Sequence, residues 1–414
     1  MSRRGLPTVA VFDADLPTGL AFARSLGRRD VPTIVFGHRP DVMTRRSRFV
    51  DAFEECPTVL WSDEFTEWLV DRLGRGDIDL VAPTSDYVAF NAAEAATHPS
   101  IDRDLGLPPI DGLLDCLFKD RFARALDRVG FPGPHTRAPT TTADAIDAVE
   151  AVGLPVVAKP RSHVGVGVHR GDVVRDLDEA ERVFTPHEVD EHSRGALRHD
   201  PELGWPLVQE YVERRGLEVI SITGYLARDG AVHGVGHSRK THQWPPGLGI
   251  GIRFETADEQ PFTEAAIEAA RQILGHGIFE FEVLFDPSTG DHWAIDLNPR
   301  TYGQVALDIG RGNDLPAMWL RDVATVDVPD PRPSRRTPTS WTTGIHLYTG
   351  LAVRTVLGPD RVAAVRGALR YAVEPTVGAS FQLDDPRPSL SFAKAVLRHP
   401  GGLVRPFLAE PADI

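Results

Sequence analysis

Apolar and polar positions alternate along residues 279–285 and 292–297 with the period of a strand, and Asp286-Pro-Ser-Thr-Gly290 between them is turn chemistry. The pattern predicts a hairpin. Successive strand side chains point to opposite faces, so Glu280 and Glu282 share one face, as do Asp296 and Asn298. Normal pairing lets those two faces coincide, which gathers acids and an amide oxygen over a sheet otherwise built from Phe, Val, Leu and Ile.

Upstream, strand-like residues 8–12, 31–36 and 79–82 alternate with helix-like residues 20–26, 65–73 and 87–96. That order predicts a parallel α/β sheet with crossover helices. The first strand–helix loop, Asp13 to Gly19, lacks Gly-x-Gly-x-x-Gly, which argues against a dinucleotide site. The loop Pro83-Thr-Ser-Asp86 follows a strand, at the end where open α/β sheets place ligands. Residues 105–109 read as a linker.

A single helix is then expected over residues 115–129, with Lys119 off its apolar stripe. A second follows over residues 143–152. Residues 154–159 read as a strand ending in Lys159. The Gly-rich stretch from Arg161 to Gly167 reads as a turn whose N–H groups can also fold over phosphate. Residues 207–212 form a strand, and residues 218–225 and 231–236 a hairpin. Residues 238–251, with Arg239, Lys240, His242 and Trp244, read as a basic Gly/Pro-rich loop. A helix spans residues 262–274. After residue 324 the pattern changes: residues 327–339 are a Pro-rich linker, residues 344–348 are strand-like, and helices fall near residues 351–357, 361–371 and 390–397.

Composition narrows the functional classes. A formal charge of −14 argues against nucleic acid as a partner. No apolar run has the length of a membrane span, and Asp13 and Asp15 interrupt the only N-terminal candidate for a leader. A cytoplasmic protein without a membrane partner is expected. The two cysteines, Cys56 and Cys116, are isolated. Lysine is scarce: among 45 basic residues only Lys119, Lys159, Lys240 and Lys394 are lysines. In a chain that otherwise uses Arg, a retained Lys points to a need for a compact ammonium.

The acidic hairpin followed by Arg300 suits Mg²⁺, which is held by one or two carboxylates together with phosphate oxygens. The competing reading is a solvated hairpin face with Asn298-Pro299 as a strand stop. The order of segments decides between them. A helix with Lys119, a strand with Lys159, a Gly loop, Gln209-Glu210-Tyr211-Val212, Glu218, the basic segment, Glu282 and Asp296-x-Asn298-Pro299-Arg300 together resemble the ATP-grasp superfamily over roughly residues 1–325.

The resemblance implies an α/β fold: an N-terminal parallel α/β domain (residues 1–112), an α+β grasp module (residues 113–326) and a small C-terminal subdomain (residues 327–414). It implies ATP and Mg²⁺ or Mn²⁺ as cofactors. Lys119 and Lys159 would contact phosphates, and the loop with His163, Gly165 and Gly167 would close over them. Gln209, Glu210, Tyr211 and Val212 would meet adenine, and Glu218 the ribose. Glu282, Asp296 and Asn298 would hold the metal, with Glu280 competing with Glu282. The second acid of this motif is more often Glu than Asp, which leaves one or two metals open. Arg300, Lys240 and Arg239 would serve the reaction.

The implied activity is that of a carboxylate–amine ligase working through an acylphosphate on small, amino-acid-like substrates. A carboxylase or carbamoyl-phosphate-type enzyme is the alternative. A nucleotide-binding regulatory protein with little turnover is a third reading, and the resemblance leaves room for a homodimer. The substrate is expected between Arg300, residues 238–251 and Pro83–Asp86, with Arg239 and Lys240 facing an acid and Asp86 an ammonium group.

Overall fold

A computed structural model of the chain describes residues 5–162, 171–189, 191–212, 216–244, 250–329, 337–357 and 361–398. Three sheets organise them. The first holds β1 (Val9–Val11), β2 (Thr33–Gly37), β3 (Ala52–Glu55) and β4 (Leu80–Val81) in the order β3-β2-β1-β4, every pair parallel. Of its helices, α1 (Pro17–Gly27) links β1 to β2, α2 (Asp63–Leu73) links β3 to β4, and α3 (Asp86–Ala95) follows β4. Ser62 and Ser85 cap α2 and α3 by accepting from Phe65 N–H and Val88 N–H. The sequence pattern missed β3, whose residues Ala-Phe-Glu-Glu offer little apolar surface.

The stretch expected as a single helix over residues 115–129 is instead two helices, α4 (Ile110–Leu117) and α5 (Lys119–Val129). Phe118 between them is extended and bridges Ser162, while Lys119 N–H donates to the Arg161 carbonyl at 2.7 Å. That tertiary pairing overrides a continuous helical periodicity. It also sets Lys119 at the first turn of α5, beside the end of a neighbouring strand. Residues 105–109 are not a free linker, because Leu105 and Leu107 are buried in the core.

A four-stranded sheet follows, with β5 (Thr136–Arg137), β6 (Val156–Lys159), β7 (Asp172–Val174) and β8 (Leu207–Glu210) in the order β5-β8-β6-β7. Its helices are α6 (Thr142–Val152) and α7 (Leu177–Val183), which cover an apolar cluster of Ala145, Val149, Val156, Phe184 and Val208.

The third sheet has seven strands: β9 (Glu218–Leu226), β10 (Val232–Trp244), β11 (Ile250–Thr256), β12 (Gly277–Phe285), β13 (His292–Asn298), β14 (Ser340–Thr342) and β15 (Thr376–Gly378), in the order β13-β12-β9-β10-β11-β14-β15. The expected basic loop over residues 238–251 is thus largely strand. The expected strand over residues 344–348 is helix, part of α11 (Ile345–Leu357), with Gly344 at φ +61° turning the chain into it. One face of this sheet is apolar. Ile220, Ile222, Phe279, Phe281 and Val283 are fully or almost fully buried there, against α8 (Thr263–Leu274) and α5. Each such side chain contributes about 1.5–3 kcal/mol. The helices α9 (Val305–Arg311) and α10 (Leu315–Ala324) cover part of the other face together with α1. The rest of that face carries the polar site. Two more helices, α12 (Arg361–Val373) and α13 (Arg387–Arg398), follow α11. Among the described residues, no helix is long and apolar enough to cross a membrane.

Candidate functional site

The register of β12 and β13 pairs Glu280 with Asn298 and Glu282 with Asp296, so the four side chains share one face as the alternation requires. Ser221, Thr223 and Lys240 lie on the same face of the neighbouring strands. Glu280 is almost fully buried. Its Oε1 accepts from Ser221 Oγ at 2.8 Å and from Gln304 Nε2, and its Oε2 accepts from Asn298 Nδ2 at 3.0 Å. Burial and the adjacent charge of Glu282 push its carboxyl up to about 7. Ser221 and Gln304 were not singled out in the sequence. Gln304 stands only four residues past Arg300, which was the available signal.

Three of the four lysines converge here. Lys240 Nζ lies 2.9 Å from Glu282 Oε1, and Lys119 Nζ 3.8 Å from Asp296 Oδ1. Lys159 closes β6 of the small sheet. Burial pushes its ammonium down to about 8, helped by the charge of Lys119, while Asp296 and Glu282 oppose the shift. Burial also works against the charge on Lys240, yet Glu282 raises it above the ordinary value. The cleft between the small and large sheets therefore holds ammonium groups from α5, β6 and β10 around the carboxylates of β12 and β13.

Arg300 closes the site toward the N-terminal domain. Its Nε and Nη2 donate to the two oxygens of Asp86, each at 3.0 Å, and Nη2 donates to Asn298 Oδ1 at 2.9 Å. Thr301 N–H donates to the Pro83 carbonyl at 2.9 Å, and Thr84 Oγ1 to Asp13 Oδ2 at 2.8 Å. The expected approach of the Pro83–Asp86 loop to Arg300 is present. Both Asp86 oxygens accept from the guanidinium, so the carboxylate anchors Arg300 in this corner. Asp13, at φ +53° and raised by burial to about 6, stands in the same corner.

Two expected residues are not brought to this face. By register Arg239 pairs with Ile220, and Glu218 pairs with Phe285, on the apolar side of the sheet. There Arg239 Nη1 lies 2.6 Å from Glu218 Oε1 and Nη2 lies 3.7 Å from Glu255. Strand alternation separates neighbours that a loop would have kept together. Lys240 faces the cleft, and Arg239 does not.

In the small sheet, Gln209 is buried and its Nε2 donates to Thr136 Oγ1 at 2.9 Å. The Glu210 carboxylate accepts from His135 N–H at 3.2 Å, and Tyr211 N–H donates to the Pro155 carbonyl. Tyr211 and Val212 lie just past the end of β8. His163, Gly165 and Gly167 fall outside the described residues.

No family model matches the chain. The carbamoyl phosphate synthase large chain of Methanobrevibacter smithii is 23% identical over 301 residues, 70% of this chain and 26% of that one. This chain spans about a quarter or less of the length of such curated relatives. Among solved structures, the ADP complex of N5-carboxyaminoimidazole ribonucleotide synthetase aligns with a TM-score of 0.62 at 13% identity, covering 86% of this chain and 87% of that one. The biotin carboxylase domain of Hydrogenobacter thermophilus 2-oxoglutarate carboxylase, a dimer bound to MgADP and bicarbonate, aligns with a TM-score of 0.61 at 16% identity, over 81% and 73% of the two chains. At such identities the likeness is one of fold.

Proposed function

The chain has the ATP-grasp fold, and from that premise we propose that it is an ATP-dependent ligase joining a small carboxylate to an amine. The observation that carries the proposal is the convergence of Lys119, Lys159, Lys240 and Arg300 with Glu280, Glu282, Asp296 and Asn298 in one cleft.

Polyphosphate charge fits this cation-rich cleft, with Lys119 and Lys159 as its direct partners. In this reading the backbone at Glu210–Val212 would meet the adenine. Among the described residues no three His, Cys, Asp or Glu side chains form a metal cluster by themselves. The donor set nevertheless fits Mg²⁺ or Mn²⁺, since hard oxygens of Glu282, Asp296 and Asn298, with Glu280 behind them, complete a shell once phosphate oxygens join. When bound by Glu282, Asp296 and Asn298, such a cation would supply positive charge against the phosphates.

In the proposed reaction a carboxylate oxygen takes the γ-phosphoryl group, giving an acylphosphate and ADP. The amine nitrogen then attacks the acyl carbon, the C–N bond forms, phosphate leaves and the nitrogen loses a proton. Arg300, held by Asp86, steadies charge on the transferred group. Lys240 can exchange its Glu282 contact for a substrate carboxylate on the same face. No protein nucleophile is needed.

A second reading takes bicarbonate as the carboxylate. It is favoured by the ligands of the biotin carboxylase domain whose fold this chain shares. Phosphate release from Mg-ATP, screened over carboxylate and amine pairs with and without bicarbonate, tests both readings. Release that depends on a carboxylate–amine pair supports ligation, and release that depends on bicarbonate supports the second reading.

A further inference from the structure

The C-terminal helices carry apolar surface out of proportion to their share of the chain. Of fourteen large apolar side chains that are exposed among the described residues, nine lie between Tyr348 and Leu390. On α12 they form a row, Val362 (63% exposed), Val365 (43%), Leu369 (66%) and Val373 (79%), at intervals of three, four and four residues. On α11, Tyr348, Ala352 and Val356 form a second exposed row at intervals of four. Both spacings place side chains on one helix face. The cover beneath is thin: the buried cluster under this helical pair is Ile252, Leu347 and Leu351, with Val353, Ala368 and Tyr371 packed at its edge.

We propose that the exposed face of α11 and α12 is a dimer interface, occupied by the same face of a second copy of this chain in an antiparallel, two-fold arrangement. A row of four exposed apolar side chains on one helix, with a second row on the helix packed against it, is the kind of surface that marks a protein contact. A two-fold contact is self-complementary, so one patch suffices for both partners. With a dyad near the middle of α12, Val362 of one copy meets Val373 of the other, and Leu369 meets Val365. The ends then match in charge. Arg361 opens α12 and Glu374 follows it, so each Arg361 lies across from a Glu374. Glu374 already accepts from Arg253 and Arg370 of its own chain and keeps a fifth of its side chain exposed. Arg366 and Arg370 follow Val365 and Leu369 directly along the helix, and Arg370 donates to Glu374. Each helix is about 20 Å long, so the paired face measures about 20 Å by 20 Å, or about 400 Å² per partner, the scale of a weak, reversible contact. An anionic bilayer is the other surface that takes Arg beside Val and Leu, and a formal charge of −14 opposes it.

Sedimentation equilibrium of the full chain between about 1 and 100 µM tests the proposal. Dimerisation is expected in that range and should persist in 1 M salt, as an apolar contact does. Leu369→Asp should raise the dimer dissociation constant by at least about 30-fold, the scale of a central hot spot. Val373→Asp, at the most exposed position of the row, provides a second variant whose fold is not at risk, and its far-UV spectrum and melting temperature should match the wild type. A chain that stays monomeric at 100 µM overturns the proposal. So does a dimer that both variants leave intact, which would lie on another surface. A monomer that cosediments with phosphatidylglycerol vesicles overturns it in favour of lipid.

Discussion

Lys159 carries the sharpest residue-scale prediction. Its free ammonium loses a proton as pH rises through about 8. A polyphosphate binds the charged form, so nucleotide affinity should fall above pH 8, and binding there should take up a proton. Lys159→Arg should flatten that dependence, because guanidinium stays charged. Lys159→Ala should weaken Mg-ATP binding at pH 7 by roughly 10–100-fold, the worth of a charge-assisted contact of about 1.5–3 kcal/mol. Calorimetry at pH 7 and 9 in two buffers checks this, and equal affinities for wild type and Lys159→Ala at pH 7 would remove Lys159 from the nucleotide site. Asp308 gives a stability counterpart. It is buried, accepts from Thr223 Oγ1 and Tyr302 Oη, and is raised from 3.8 to about 6. The fold therefore favours its protonated form, and its contribution declines as pH rises from about 4 through 6. Urea unfolding at pH 4.5 and 7.5 should show the wild type losing about 2 kcal/mol relative to Asp308→Asn over that interval. The scarcity of lysine made this scale legible, since it singled out three cleft ammonium groups in advance. Partners such as Ser221, Gln304 and Asp13 were not legible, because a hydroxyl or amide that serves a distant carboxylate carries no local pattern.

At the scale of elements, the β12–β13 hairpin was readable down to which residues face each other, because alternation and turn chemistry agreed. β10 was not. Its residues 238–244 carry charge on both sides, Lys240 into the cleft and Arg239 toward Glu218 and Glu255, so no apolar face announces a strand. The break at Phe118 is likewise set by Ser162, more than forty residues away, and not by any local signal. If the hairpin is the metal site, Asp296→Ala and Asn298→Ala should each lower turnover at least about 100-fold, in the range seen when a transition-state charge partner is removed. Circular dichroism should show the fold unchanged. Near-normal activity at saturating Mg²⁺ would place the metal elsewhere. Gly236, beside a register shift in β10, tests the packing behind the hairpin. A Cβ there would lie 2.2 Å from Asp308 Oδ1 and 2.7 Å from Thr223 Oγ1. Gly236→Ala should destabilise the protein by about 1–3 kcal/mol in denaturant titrations.

Across the whole molecule, the C-terminal residues bind two units together. β14 and β15 extend the large sheet, and the chain then returns to the N-terminal domain. There buried Asp385 accepts from Arg24 Nε at 2.9 Å, Ser47 Oγ at 2.6 Å and Arg48 N–H at 3.1 Å. Asp385→Ala leaves the Arg24 guanidinium buried without its acid and should cost about 3–5 kcal/mol. A loss below about 1 kcal/mol in urea unfolding would show that the latch is not structural. This role was hidden in the sequence, where residues 344–390 show short amphipathic runs and no chemistry. Long-range ion pairs between residues 24 and 385 have no signature in either segment alone.

If the cleft between the small and large sheets drives C–N ligation with ATP, phosphate release must wait on both substrates. Continuous assay of phosphate release from Mg-ATP, over a matrix of small carboxylates and amines, tests it most directly. Release is expected to require both partners, to accompany one amide per phosphate by mass spectrometry, and to disappear in Asp296→Ala. Phosphate release that needs no carboxylate and yields no amide would contradict it.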